Sequence, residues 1–177
     1  AGSLTASAAG LMPTTWNPLD KGSACTLTNG NLSGAAPANN GSVRSIYGAS
    51  AGKWYWEITT NSSTYSPGIG VATPASSLAN YPGAVAGQWA WFGNEGKKYT
   101  GGASSSYGSA QSIAGVVIGV ALDMDAKTIA LYRGGLALGT MYTGLPATVH
   151  ALCGGNSSTP SDWTANFGAS AFAFAPP

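Results

Sequence analysis

The chain has 177 residues, the length of one domain, and its 44% hydrophobic content is enough to fill a sizeable core. Only 7% of its residues are charged and the net charge is +1, so no field is available to steer nucleic acid or an anionic membrane. No apolar run approaches the ~20 residues needed to span a bilayer, and neither nucleic-acid binding nor membrane insertion is expected. A surface this poor in charge must be kept wet by Ser, Thr, Asn and backbone, a style suited to an assembly or an extracellular setting.

Residues 1–13 are small and lack a basic leader, and read as an N-terminal linker or attachment arm ahead of a domain over 14–177. Cys25 to Leu32 alternates as a short strand ending in the turn sequence Asn29-Gly30-Asn31, and Ser42 to Tyr47 is a second strand. Lys53 to Thr59 is the clearest strand, with Trp54, Trp56 and Ile58 on one face and Tyr55 and Glu57 on the other. Strands follow at Gly68–Ala72, Trp89–Phe92 and Lys98–Thr100. Val116 to Asp123 is a near-continuous apolar run, as expected of a central strand covered on both sides. A turn at Asp125-Ala126-Lys127 returns it as Thr128–Tyr132, and Arg133-Gly134-Gly135 turns into Leu136–Met141. Val149–Cys153, Trp163–Phe167 and an apolar tail from Ala171 to Pro177 complete the chain. Helical periodicity is almost absent, so the fold class is all-β, a two-sheet antiparallel sandwich.

Catalytic chemistry finds little support. The six acids are Asp20, Glu57, Glu95, Asp123, Asp125 and Asp162; Asp123 and Asp125 are close, but Asp125 falls in a hairpin turn, where Asp is favoured for backbone reasons. Glu57, if buried, needs a partner, for which Arg44 and Arg133 are the candidates. One histidine (His150) and two cysteines (Cys25, Cys153) cannot close a zinc site. The cysteines read either as buried free thiols or as a long-range disulfide. Lys97-Lys98 reads as a solvated loop. No catalytic residue, metal or cofactor is therefore expected. The stretches 73–85, 101–111 and 154–162 hold no sure strand, and loops this long usually carry function. Aromatic side chains dominate protein hot spots and stack on sugar rings. Within or beside these loops the candidates for ligand contact are Asn80 with Tyr81, then Tyr107, and more weakly Tyr65 and Trp89. Trp16 and Trp163 are expected to close the ends of the sandwich.

Five motifs in order carry a family resemblance: Gly52-Lys53-Trp54-Tyr55-Trp56-Glu57-Ile58, Ile69-Gly70-Val71-Ala72, Val117 to Asp125, Thr128 to Gly135, and Ala165-Asn166-Phe167-Gly168. The series resembles SPRY domains from about Trp16 to Gly168, with Gly134 where the family turn usually has Asn. With Thr15-Trp16-Asn17-Pro18 ahead of Leu27 to Leu32, its style is most similar to SPRY domains of phage and bacterial proteins. The resemblance implies a bent, concanavalin-like jelly-roll sandwich, without catalysis, binding partners through loops. It further implies a phage virion component (tail fibre, tail tip or head decoration) located in the virion, contacting a host receptor or a neighbouring virion protein, with a homo-oligomer such as a trimer expected of fibres. The alternative is a bacterial extracellular carbohydrate-binding module recognising a cell-surface glycan.

Overall fold

The computed structural model describes residues 14–36, 41–61, 65–111, 114–156 and 160–177, with the backbone of 2–3. Among them are fifteen strands: β1 (Gly2–Ser3), β2 (Trp16–Lys21), β3 (Thr26–Thr28), β4 (Ser33–Ala36), β5 (Gly41–Ala49), β6 (Lys53–Thr60), β7 (Gly68–Ala72) and β8 (Gln88–Phe92) come first. β9 (Lys97–Thr100), β10 (Ala103–Ser106), β11 (Val117–Asp123), β12 (Thr128–Arg133), β13 (Leu136–Tyr142), β14 (Val149–Gly155) and β15 (Ser161–Asn166) follow. One sheet runs β13-β12-β11-β6-β15-β4-β3, with β1 bridging β6; the other runs β10-β9-β8-β7-β14-β5-β2. Apart from the two-residue β1/β6 bridge every pairing is antiparallel. The all-β sandwich holds. The rest of the expected arm, residue 1 and residues 4–13, lies outside the described residues.

Alternation explains the packing. In β6 the aromatic and β-branched side chains suit a pleated surface, and Trp56 and Ile58 are fully buried between the sheets while Trp54 packs partly against the same core. Trp16 and Trp163 lie fully inside that core; Trp16 meets the Phe167 ring edge-on at 5.0 Å, and its Nε1–H donates to Leu32 O at 3.2 Å. Cys25 and Cys153 are buried free thiols, and burial pushes Cys25 up to about 11. The strands β2, β4 and β10 escape pattern reading: β2 carries a register shift between Trp16 and Lys21, β4 is Ser-Gly-Ala-Ala, and β10 is Ala-Ser-Ser-Ser with every residue exposed.

Two expectations about charge are corrected. Glu57 is 3% exposed, yet neither arginine reaches it: Arg44 is engaged by Asp20, and Arg133 by Gln111 and Ser109 O. Its carboxylate instead accepts the N–H groups of Ala173 (2.8 Å) and Phe174 (2.9 Å) and the Tyr55 hydroxyl (3.2 Å). The C-terminal tail thus covers the outer face of β6. Lys97 and Lys98 belong to β9 rather than to a solvated loop; Lys98 Nζ donates to Met141 O at 2.6 Å and sits 4.6 Å from the Tyr142 ring centroid, tying the two sheets together. The Asp123–Asp125 turn behaves as expected: Asp123 Oδ1 accepts the Asp125 and Ala126 N–H groups, and Asp125 Oδ1 that of Gly52.

Candidate functional site

Residues 73–87 carry no strand, but they are not loose. They fold back over the outer face of the seven-stranded sheet, where Leu78 joins Ala72 and Leu152 in a small second apolar cluster. Polar side chains of the sheet hold the loop from beneath. Arg44, 5% exposed, pairs with Asp20 through Nε and Nη2 (both 2.8 Å) and donates from Nη1 to Thr73 O (2.7 Å), Ser76 O (2.8 Å) and Ser76 Oγ (3.2 Å). Ser42 donates its N–H to Leu78 O (3.0 Å) and its hydroxyl to Asn80 O (2.7 Å). Buried Gln88 donates to Ser77 O (2.8 Å) and accepts the Gly83 N–H (2.9 Å). Thr73 O also accepts from the Ser76 N–H and hydroxyl; the other loop carbonyls rely on these sheet donors, and an unpaired buried carbonyl costs about 1–3 kcal/mol.

This scaffold fixes Tyr81. Its ring packs edge-on against Tyr99 (5.9 Å) and Phe92 (6.3 Å), which meet each other at 5.5 Å. Phe92 is fully buried, whereas Asn80, Tyr81 and Tyr99 remain partly exposed, and the Tyr99 hydroxyl donates to Glu95 in the adjoining turn. Rings already in mutual contact leave no slot between them, so the trio is a surface to dock on rather than a cage to fill.

Of the residues singled out from sequence, Asn80 and Tyr81 come together here. Tyr65 is partly exposed on the lead-in to β7, beside Ser66, whose Oγ accepts the Asn94 N–H of the same turn that holds Glu95 (3.2 Å). Trp89 lies elsewhere: it is paired in register with core residue Val71 and packs against the inter-sheet core, on the opposite face from Tyr81. Tyr107 also turns inward, 7% exposed. Its hydroxyl donates to Gly139 O (2.5 Å) and accepts the Leu131 N–H (3.2 Å), while its carbonyl accepts from Trp91 Nε1 (2.9 Å). It is a strut between the sheets and is not available to a ligand, which corrects the loop-aromatic expectation. Tyr99 and Glu95 were not singled out, although Tyr99 alternates with Lys98 along β9 and so has to face the side away from Met141.

Burial pushes the Tyr107 and Tyr142 phenols up to about 12, and burial with the Glu95 carboxylate does the same for Tyr99. Because these folded values exceed the ordinary 10, the stability tied to neutral phenols is complete below pH 10 and is lost as pH rises through 12. A phenolate absorbance titration of the native chain is expected to show late-titrating tyrosines whose ionisation coincides with loss of near-ultraviolet circular dichroism; in urea all should titrate near 10. Coincidence of the native and urea curves would contradict the strut assigned to Tyr107.

The SPRY domain family model matches residues 53–168. The chain belongs to the SPRY family. SPRY domains are protein–protein interaction modules, and that is the coarse function the family gives this chain. Ran-binding protein 9 of Xenopus tropicalis is 30% identical over 174 residues, covering 92% of this chain and 31% of that protein; the human Ran-binding protein 9 is 28% identical over 175 residues, covering 92% and 24%. The chain thus spans less than a third of the length of these relatives. Among solved structures, the SPRY domain of human HERC1 superposes with a TM-score of 0.76 at 17% identity, covering 88% of this chain and 99% of that one. The stonustoxin structure gives 0.68 at 17% identity, covering 86% and 27%. The SPRY match begins at Lys53, so Asp20, Ser42 and Arg44, which pin the 73–87 loop, come from the segment ahead of it. Among the described residues no group of three or more His, Cys, Asp or Glu side chains could hold a metal ion.

Proposed function

We propose that this SPRY domain binds a protein partner through the face formed by the 73–87 loop and the β8–β9 hairpin, with Tyr81 as the anchoring side chain and Asn80, Glu95 and Tyr99 around it. The observation that carries this is the pinning of the loop: a partly exposed Tyr is presented on backbone already held by Arg44, Ser42 and Gln88. A preorganised aromatic saves most of the ordering cost of binding, and Tyr is enriched among hot spots. The finer expectations of a virion setting, a host receptor or a glycan rest on composition and style. The relatives named above are vertebrate proteins, so the comparisons lend those expectations nothing.

Selection from a displayed peptide and small-domain library with the whole chain as bait is the test. Ligands selected by the wild-type chain are expected to bind Tyr81→Ala about tenfold or more weakly, a loss of ~1.4 kcal/mol or greater. Thr140→Ala, an exposed change on β13 of the other sheet, should leave binding intact. Selected ligands that bind Tyr81→Ala as well as wild type would move the site off this face.

A further inference from the structure

The outer face of the eight-stranded sheet is built to receive a segment of chain, and the segment it holds is the tail. Tyr55 and Glu57 of β6 stand opposite Ala121 and Gly119 of β11, which stand opposite Ala130 and Tyr132 of β12. The small residues make a trough beside Tyr55. Phe172 packs edge-on against Tyr55 at 5.0 Å, and Phe174 covers Gly135, where a Cβ would lie 2.6 Å from the ring. Between the two phenylalanines the buried Glu57 carboxylate takes two successive main-chain N–H groups. No cation approaches that carboxylate among the described residues, so the tail's amides and the Tyr55 hydroxyl are what satisfy it. Pro177 then walls a cavity of about 260 Å³ shared with Lys53, Trp54, Ala121, Asp123 and Thr128.

Tail and cradle are joined by a bend at 167–170. Gly168 sits at φ +97°, in a region closed to side-chain-bearing residues. The Asn166 side chain ties the bend by accepting the Gly168 N–H (2.9 Å) and donating to Ser170 O (3.2 Å) and Ala171 O (3.1 Å). The cradle's contacts therefore fall on 172–177 and the tether's on 166–171. A tail arriving from another molecule would recover every cradle contact and forgo only the bend. Nothing electrostatic opposes that approach: residues 167–177 carry no charged side chain, and the chain's net charge is +1.

We infer that this cradle is an exchangeable segment site whose occupant in trans is residues 171–177 of a second copy, so that reciprocal exchange closes a two-fold dimer. A short tether gives the attached tail an effective concentration on the order of millimolar, so the closed monomer dominates in dilute solution. Exchange grows with concentration and with any change that opens the bend. This dimer does not use the Tyr81 face.

The test keeps the chain whole. A tagged Ala121→Cys chain is mixed at high concentration with an untagged Pro177→Cys chain under mild oxidation; both positions line the same cavity, and the native cysteines are buried. A Ser104→Cys chain mixed with Pro177→Cys measures random collision, and Thr128→Cys replaces Ala121→Cys if the latter folds poorly. Covalent heterodimer is expected about fivefold or more above the collision control. It should increase when both chains carry Asn166→Ala and fall when excess free peptide of the 171–177 sequence is added. Yield equal to the control, with the doubly substituted Ala121→Cys/Pro177→Cys chain closing only on itself, would overturn the inference. So would a yield indifferent to Asn166→Ala or to the peptide.

Discussion

Arg44→Ala is expected to cost about 1–3 kcal/mol in urea unfolding and to release the 73–87 loop from the sheet. Arg44 is the point where three segments meet: Asp20 of β2, the loop carbonyls of Thr73 and Ser76, and β5 itself. Removing the guanidinium takes the Arg44 donor from Ser76 O, leaves Thr73 O with only its longer bonds from Ser76, and leaves Asp20 without its counter-charge. Asp20 is the lesser loss, because its side chain is 39% exposed and water can hydrate it. The loop is the greater one. Amide hydrogen exchange should therefore rise at Ser42 and Thr73, whose N–H groups bond to Leu78 O and Gly87 O, while the β11–β12 hairpin stays protected. Arg44→Lys should recover only part of the loss, since an ammonium keeps the charge but cannot reproduce the planar fork that reaches Asp20 and the loop together. Arg44→Ala is also expected to weaken ligands selected on the Tyr81 face without touching Tyr81. Unchanged stability and unchanged exchange in the loop would mean that the apolar cluster around Leu78 holds it unaided.

What was legible in the sequence, and what was not, divides along one physical line. Strand identity is written locally: Lys53 to Thr60 alternates aromatic and β-branched residues, and the β11–β12 hairpin is two apolar runs around an Asp-containing turn. The order of the motifs then carried the family. Side-chain direction inside loops is not written locally. Tyr107 in a Ser-rich stretch reads the same whether its ring points to water or to the core; the groups that decide it, Leu131 and Gly139, lie 24 and 32 residues away. Glu57 was recognised as a carboxylate in need of partners, but the partners proved to be backbone amides of the tail, 116 and 117 residues on, which no residue-type pattern can announce. Asn80 and Tyr81 were found because loop length pointed at them. Tyr99 and Glu95 were passed over because they sit in a short strand and a turn, and Arg44 was matched to Glu57 because a lone basic residue in a strand carries no signature of the loop above it.

Gly70→Ala is expected to destabilise the chain by about 3 kcal/mol or more, the upper end of overpacking costs. The glycine lies in β7, opposite Ala90 of β8 and Leu152 of β14. Its φ is not in the left-handed region, so the backbone would accept any residue; what forbids a side chain is space. A Cβ there would collide with the Trp89 carbonyl and meet Ala90 Cα at 2.8 Å, and neither group can rotate away because both are main chain of the paired strand. The only relief is to part β7 from β8, which strains the ladder and lifts the floor under Leu78 and the loop. Gly119→Ala provides the contrast. Its added Cβ meets the Tyr55 side chain rather than backbone, so Tyr55 can shift, and the damage should fall on Phe172 and the tail while the sheet keeps its register. Urea unfolding should therefore rank Gly70→Ala well below Gly119→Ala in stability. Hydrogen exchange should place the first defect in β7–β8 and the 73–87 loop, and the second at Ala173 and Phe174. Equal losses from the two substitutions would show that the sheet yields as readily as a side chain, and would remove the steric reason given for a glycine at position 70.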